Sequence, residues 1–373
     1  MQEKPTKSKE ISESLRQEIF GGKFDTARKL PSEHQLMRRF SVARETVRAA
    51  LKELLDKKLV ERRPGYGTFL ADLAKTKAAQ KFAMIVPDAY YSFYQRICRG
   101  ITDAAKARGW SILSVSLGSG GMRERALRAV EFAEVCIREK VSGVFFQPLQ
   151  FLGDGENVNR GILQLFKSAG IPVVLLDSDI VAPPLRSEYD LVGVDNTGIG
   201  YTLAKHVIAA GAKKIMYFSN PLPAPTSLKR GNGVGIAVTE AGLPWRRDSV
   251  FFADPTDTRA AARVFAGKNR PDAIIAVNDY IASLLLKTLK AIGKRVPHDV
   301  LLAGANGDPL AEESDPPLTT VVQPCHEIGQ AAAALMFERL ANPELMSREV
   351  FLSAALVARE STRTAKTSKG GKK

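Results

Sequence analysis

The stretch "LVGVDNTGIGYTLAKHVIAAGAKKIMYFSN", residues 191–220, decides how the larger part of this chain is built. It opens on a short apolar run, continues through a helix-length segment and closes on a second apolar run. Strands of this kind separated by helices are the βαβ signature of a parallel sheet covered on both faces. Asp195 and Asn196 stand where the helix opens and read as caps.

Working outward, the same alternation starts at Phe82. It runs through FAMIVP, SILSVSL, GVFFQP, PVVLLD, LVGVD, KIMYFSN, SVFFAD, AIIAVN and VLLAGAN. Nine strands over about 280 residues exceed one comfortable doubly wound unit, so the class is α/β with two lobes and a cleft between them. Ligands in open α/β sheets sit beyond the carboxyl ends of the strands, and strand-end residues therefore carry most weight.

Before Phe82 the pattern differs. EISESLRQEIF places Ile11, Leu15 and Ile19 on one helical face, and Gly21-Gly22 ends it. Ser32 can cap a second helix after Pro31. In "SVARETVRAALKELL", residues 41–55, Val47, Ala50, Leu51 and Leu54 make the apolar stripe of a third, and Arg44 and Arg48 lie one turn apart beside it. VERRPGYGTFLA alternates and turns at Pro64-Gly65, a small hairpin. Two short helices joined by a tight turn, the second with paired arginines, have the geometry that enters a major groove. Arg44 and Arg48 can reach phosphate or guanine, Thr46 a phosphate or a thymine methyl, and Glu45 a cytosine amine. His34 falls near the DNA backbone, while Gly65, Tyr66 and Gly67, flanked by Arg62 and Arg63, form a tip suited to a minor groove.

Charge supports this division. The 373 residues carry a formal +14, and residues 1–81 hold 19 Lys+Arg against 11 Asp+Glu. The tail TAKTSKGGKK adds four lysines, which leaves the middle of the chain close to neutral. A basic block of this kind points to a polyanionic partner. Three widely spaced cysteines (Cys98, Cys136, Cys325) fit neither a disulfide framework nor a zinc site. No apolar signal core and no 18-residue apolar run is present, so the expected location is the cytoplasm, with no membrane partner.

LPSEHQLMRRFSVARETVRAALKELLDKKLVERRPGYGTFL, residues 30–70, resembles the winged-helix domain of the GntR family, with its Leu-Pro-Ser-Glu opening, Arg-x-Thr-Val-Arg core and Gly-x-Gly-Thr wing. One departure is Ala43, where that family usually has a Ser or Thr cap; Ser41 offers an earlier start for the helix. From about Phe82 to Thr362, VDNTGIG, the VND strand end and PPLTT resemble the effector domain of the LacI/GalR family, itself similar to periplasmic sugar-binding proteins. That resemblance implies a ligand set of Ser92, Phe93, Tyr94, Asp177, Asp179, Arg230, Asn278 and Asn306. Asp279 is left as a helix cap, and Asn306 stands where relatives commonly have Asp. The union of the two parts resembles the arabinose-repressor type of transcription regulator.

The expected organisation is a winged helix-turn-helix over residues 1–73, a linker at 74–81, a two-lobed ligand-binding domain at 82–363 and a basic tail without fixed structure at 364–373. The expected function is a ligand-responsive repressor, a homodimer on palindromic operator DNA released by a sugar or sugar-derived effector. No cofactor, metal or catalytic residue is implied. Two other readings remain open: a regulator blind to ligand, and a nucleotide-using enzyme whose only glycine-rich candidate is GNGVG at 231–235.

Overall fold

The computed structural model describes residues 6–20, 23–24, 29–56, 59–70, 80–86, 92–118, 121–150, 155–182, 185–267 and 269–363. The Gly21-Gly22 stop, nearly all of the 74–81 linker and the 364–373 tail lie outside these residues.

The N-terminal domain consists of α1 (Lys7–Phe20), α2 (Glu33–Phe40), α3 (Arg44–Asp56), β1 (Val60–Arg63) and β2 (Gly67–Leu70). Ile11, Leu15 and Ile19 of α1 and Leu36 of α2 meet Val47, Ala50, Leu51 and Leu54 of α3 in one buried cluster. The apolar stripes read from the sequence are thus the core. Ser32 caps α2 and Gln35 completes the capping box. Ser41 does not begin α3. It closes α2 in a left-handed conformation, φ 51°, and α3 starts at Arg44 behind Ala43, whose carbonyl accepts from Thr46 and Val47. β1 and β2 pair antiparallel from Val60↔Leu70 to Arg63↔Gly67. Gly65 (φ 80°) and Gly67 (φ 113°) supply the left-handed turns at the tip.

The remainder forms two sheets of six strands. The first lobe contains β3 (Lys81–Val86), α4 (Ser92–Lys106), β4 (Ser111–Ser116), α5 (Met122–Arg138), β5 (Gly143–Phe146), α6 (Gly155–Ser168), β6 (Val173–Leu176) and β7 (Asp190–Val194). The chain then crosses into the second lobe. There it forms α7 (Asn196–Ala209), β8 (Ile215–Ser219), α8 (Pro225–Glu240), β9 (Val250–Phe252), α9 (Thr258–Ala266) and β10 (Ala273–Ala276). α10 (Asp279–Ala291), β11 (Leu301–Asn306), α11 (Pro309–Glu313) and β12 (Thr319–Val322) complete that run. It returns with α12 (Cys325–Ala341) and β13 (Glu349–Leu352) to the first lobe, and crosses once more to end with β14 (Ala355–Val357). The strand orders are β13-β7-β6-β5-β3-β4 and β14-β12-β11-β10-β8-β9. All pairs are parallel except β12–β14.

Each of the nine sequence-predicted strands is present. β5, β6, β7, β8 and β10 are buried along their whole length, as parallel strands covered by helices must be. The helices pack closely where glycine removes the side chain. A Cβ on Gly100 of α4 would sit 2.0 Å from the His326 carbonyl oxygen of α12, and one on Gly329 would sit 2.1 Å from that of Ile97. The GNGVG segment is likewise a packing feature. It lies inside α8, where a Cβ on Gly233 would meet the Thr197 carbonyl oxygen of α7 at 1.9 Å. A helix interior is not a phosphate loop.

Because neither backbone at the α4–α12 crossing can yield without moving its helix, Gly100→Ala is expected to cost ~1–3 kcal/mol. Thermal unfolding of the variant checks this, and an unchanged midpoint would mean that the two helices are not held in contact.

Candidate nucleic-acid interface and ligand cleft

The exposed side of the N-terminal domain gathers three arginines on one carboxylate. Arg44 Nε donates to Glu33 Oε2 at 2.9 Å and Arg48 Nε to the same oxygen at 3.3 Å. Arg62, from the first strand of the wing, binds Glu33 Oε1. The arginine side chains remain 60%, 44% and 57% exposed, whereas that of Glu33 is 16% exposed. The Arg44 hydrogen bond, followed by the field of Arg48, holds the Glu33 carboxyl below the usual carboxylate range against its partial burial. Three guanidinium groups on one carboxylate leave a local excess of positive charge, oriented and open to solvent.

The other expected contacts fall around this cluster. His34 is exposed on α2, and Thr46 is half-buried on α3. The Glu45 carboxylate, 84% exposed, lies 3.5 Å from Arg48. Tyr66 projects from the tip at 73% exposure between Gly65 and Gly67. Arg63 takes a different course from Arg62. It donates to Glu61 at 2.5 and 2.8 Å and stacks over Phe69, 4.6 Å from the ring centre. The wing arginine that joins the cluster is therefore Arg62. Glu33 was not singled out from the sequence, although it is the last residue of the Leu-Pro-Ser-Glu opening.

The second site lies between the carboxyl ends of the two sheets. Phe93, Tyr94, Gln150 and Asp177 come from the first lobe; Asn220, Arg230, Asn278, Tyr280, Asn306 and Asp308 come from the second. They enclose about 210 Å³, below the ~300–1,000 Å³ of pockets for drug-sized ligands. The guanidinium of Arg230, 6% exposed, donates from Nε to Asn196 Oδ1 at 2.8 Å and from Nη1 to the Val277 carbonyl at 2.5 Å. Asp177 follows β6 in a left-handed conformation, φ 64°, a strained state for a residue with a side chain. Burial pushes its carboxyl above the usual range, opposed by the positive charges of Arg230 and Lys229. Among the described residues no donor reaches that carboxylate. The buried Oδ1 of Asn220 also lacks a partner, a condition that favours a bound donor.

Asn306 (φ 107°) accepts at Oδ1 from Gln323 at 2.8 Å and at its carbonyl from Arg96 at 3.1 Å. Its amide oxygen is thus occupied, and its NH₂ is what remains to meet a ligand. Asn278 lines the cleft and also caps α10 through Ile281 N, 2.9 Å. The cap expected of Asp279 therefore belongs to Asn278. Asp279 is buried instead, accepting from Thr320 at 2.9 Å and Asp308 N at 2.8 Å, and burial pushes its carboxyl up to about 7.

Two expected ligand residues are corrected. Asp179 does not line the cleft. Its carboxylate ties a loop by accepting from the backbone of Ile180, Val181 and Ser187 at 2.6, 3.3 and 3.0 Å. Ser92 is not a lining residue either. It donates to Asp308 at 2.5 Å and so bridges the lobes. Gln150, Asn220, Tyr280 and Asp308 were missed. Of these, Asn220 carried a signal, as the polar end of the KIMYFSN strand.

Comparison with known proteins resolves the two parts. Residues 7–70 match the model of bacterial regulatory proteins of the gntR family, and residues 204–362 match a periplasmic binding protein-like domain. The chain joins a gntR-type regulatory domain to a periplasmic-binding-protein-like body. It is 28% identical to an arabinose metabolism transcriptional repressor of Halalkalibacterium halodurans, over 98% of this chain and 99% of that protein. It is 26% identical to a repressor of the same name from Geobacillus stearothermophilus, over 92% and 94%. Among solved structures it superposes on a transcriptional regulator CelR–cellobiose complex with a TM-score of 0.64. That match has 23% identity and covers 96% of this chain and 100% of that one. These relatives are transcription regulators. No helix of the described residues is long and apolar enough to cross a membrane.

If Glu33 aims the arginines, Glu33→Gln removes a negative charge and frees them together. Non-specific DNA affinity is expected to rise while the preference for the best site falls about tenfold. Competition binding at fixed salt measures both, and an unchanged preference would remove Glu33 from the recognition geometry.

Proposed function

We propose that this protein is a cytoplasmic, ligand-responsive transcriptional repressor. It binds a palindromic operator as a homodimer through its winged helix and leaves it when a sugar fills the interlobe cleft. The carrying observation is the pairing within one chain of an exposed arginine cluster on a helix and wing with a cleft that holds unpartnered acceptors. In this reading Arg44, Arg48 and Arg62 meet phosphate and base edges, with Thr46, His34 and Glu45 at the margin. Tyr66, between Gly65 and Gly67, enters the minor groove, and Arg63 stiffens the wing. The organisation is a reader at 1–73, a linker at 74–81, a sensor at 82–363 and a basic tail at 364–373.

The cleft's chemistry narrows the ligand. Asp177 and Asn220 Oδ1 are acceptors in need of donors, while Arg230 and the Asn306 amide offer N–H groups. The charged lining residues are one cation against two carboxylates, Asp177 and Asp308. That balance favours a small neutral polyhydroxyl compound over a sugar acid, with Phe93 and Tyr94 as the wall against its C–H face. The unpartnered acceptors also weigh against a cleft that has lost its ligand. A nucleotide-using enzyme of the kind considered from the sequence would need a phosphate loop, and the GNGVG segment offered for it lies inside α8.

Fluorescence anisotropy of a DNA fragment from the region upstream of the coding sequence, titrated with neutral pentoses and hexoses and the matching acids, tests the whole reading. Tight, salt-sensitive binding weakened by one neutral sugar is expected; release by none of them contradicts it. Ligand hydroxyls donate to ionised Asp177, whose folded pKa is raised, so proton and ligand compete. Sugar affinity should therefore fall as pH is lowered through that raised value and level off above it. Asp177→Asn should abolish this pH dependence and cost ~1.5–3 kcal/mol of binding, as measured by calorimetry. A pH-dependent variant would acquit Asp177.

A further inference from the structure

Arg16, on α1, reaches out of the N-terminal domain to α12 of the first lobe. It donates to Glu338 from Nη1 and to Glu13 from Nη2, the latter at 2.7 Å. Glu338 stands in the last turn of α12 and is 6% exposed. Its second carboxylate oxygen accepts from Arg348 Nη2 at 2.8 Å. One buried carboxylate is thus shared between a cation of the DNA-reading domain and a cation of the body. The Nε atoms of Arg16 and Arg348 are also buried and lack acceptors, so the two domains close over this contact. Removing Glu338 takes away the carboxylate that both guanidinium groups share, whereas removing Arg16 leaves Glu338 held by Arg348 alone.

The place of attachment is informative. α12 begins immediately after the second crossing between lobes, where Gln323 donates to Asn306 of the cleft. It is locked to α4 at Gly100 and Gly329. α4 in turn carries Phe93 into the cleft and Arg96 onto the Asn306 carbonyl. α4 and α12 form one stiff unit from the cleft to Glu338.

We propose that the Arg16–Glu338 contact is a clasp that fixes the winged helix to the first lobe, so that the DNA reader turns with this lobe when the cleft closes. The clasp stands on the contact itself, whereas its regulatory consequence rests on the function proposed above.

Small-angle X-ray scattering of the full chain without ligand or DNA tests the clasp directly. Arg16→Glu and Glu338→Gln, which break the contact from either side, are expected to enlarge the maximum dimension. Arg16→Lys, which keeps the charge, should match the wild type. Identical profiles for all four proteins would overturn the clasp. The second readout is DNA anisotropy with whichever neutral sugar releases the wild type. Arg16→Glu should still bind the fragment, and the sugar's effect, typically ~5–150-fold in coupled systems, should shrink towards none. An undiminished effect in an extended variant would overturn the claim that the reader turns with the lobe. Should no sugar act on the wild type, the proposed function fails, while the scattering still decides the clasp.

Discussion

The cleft depends on the buried guanidinium of Arg230. A charge taken out of water is costly unless its N–H groups are met and an opposite charge lies near. Here the partners come from three places: the Asn196 amide where the chain first crosses between lobes, the Val277 carbonyl at the end of β10, and the field of Asp177 across the cleft. α8, the first crossing and a strand end of the second lobe are thereby pinned to one another. Asp177 is left as the free side of the arrangement, buried and strained, with its carboxyl raised by desolvation. In the proposed function a ligand hydroxyl that donates to it relieves part of that cost.

Much of this was legible in the sequence because the information was local. Continuous apolar runs of four to six residues announced the buried strands, and the i, i+3, i+4 stripe of α3 announced the face that packs on α1 and α2. β12, β13 and β14 were not announced. Thr319 and Thr320 make a polar strand, and Glu349–Leu352 and Ala355–Val357 lie at sheet edges, where burial is partial and the pattern correspondingly weak.

The site residues divide in the same way. Arg230 and Asp177, which the resemblance implied, both line the cleft, one on a helix that faces it and the other just beyond a strand end. Asp179 failed because only the course of the loop decides whether a carboxylate two residues further on meets ligand or backbone. Asn278 and Asp279 exchanged roles for a similar reason: both can cap a helix, and the one whose side chain turns inward is chosen by Thr320, 41 positions away. Glu33 could not be recognised alone. Its significance arises when α2, α3 and the wing bring three arginines to it. Relations of this kind are properties of the fold, and a single chain read in order does not display them.

Three crossings join the lobes, at Asp195–Asn196, at Gln323–Pro324 and between β13 and β14, and the first two bond to cleft residues, Asn196 to Arg230 and Gln323 to Asn306. Ser92–Asp308 and Arg96–Asn306 add contacts from lobe to lobe. Under the proposed function cleft occupancy and DNA affinity are two views of one equilibrium, and linkage requires each to change the other by the same factor. The most direct measurement is calorimetric titration of the releasing sugar into the protein, alone and saturated with its DNA fragment. DNA is expected to weaken sugar binding by the same factor by which the sugar weakens DNA binding. A sugar affinity indifferent to DNA would contradict it.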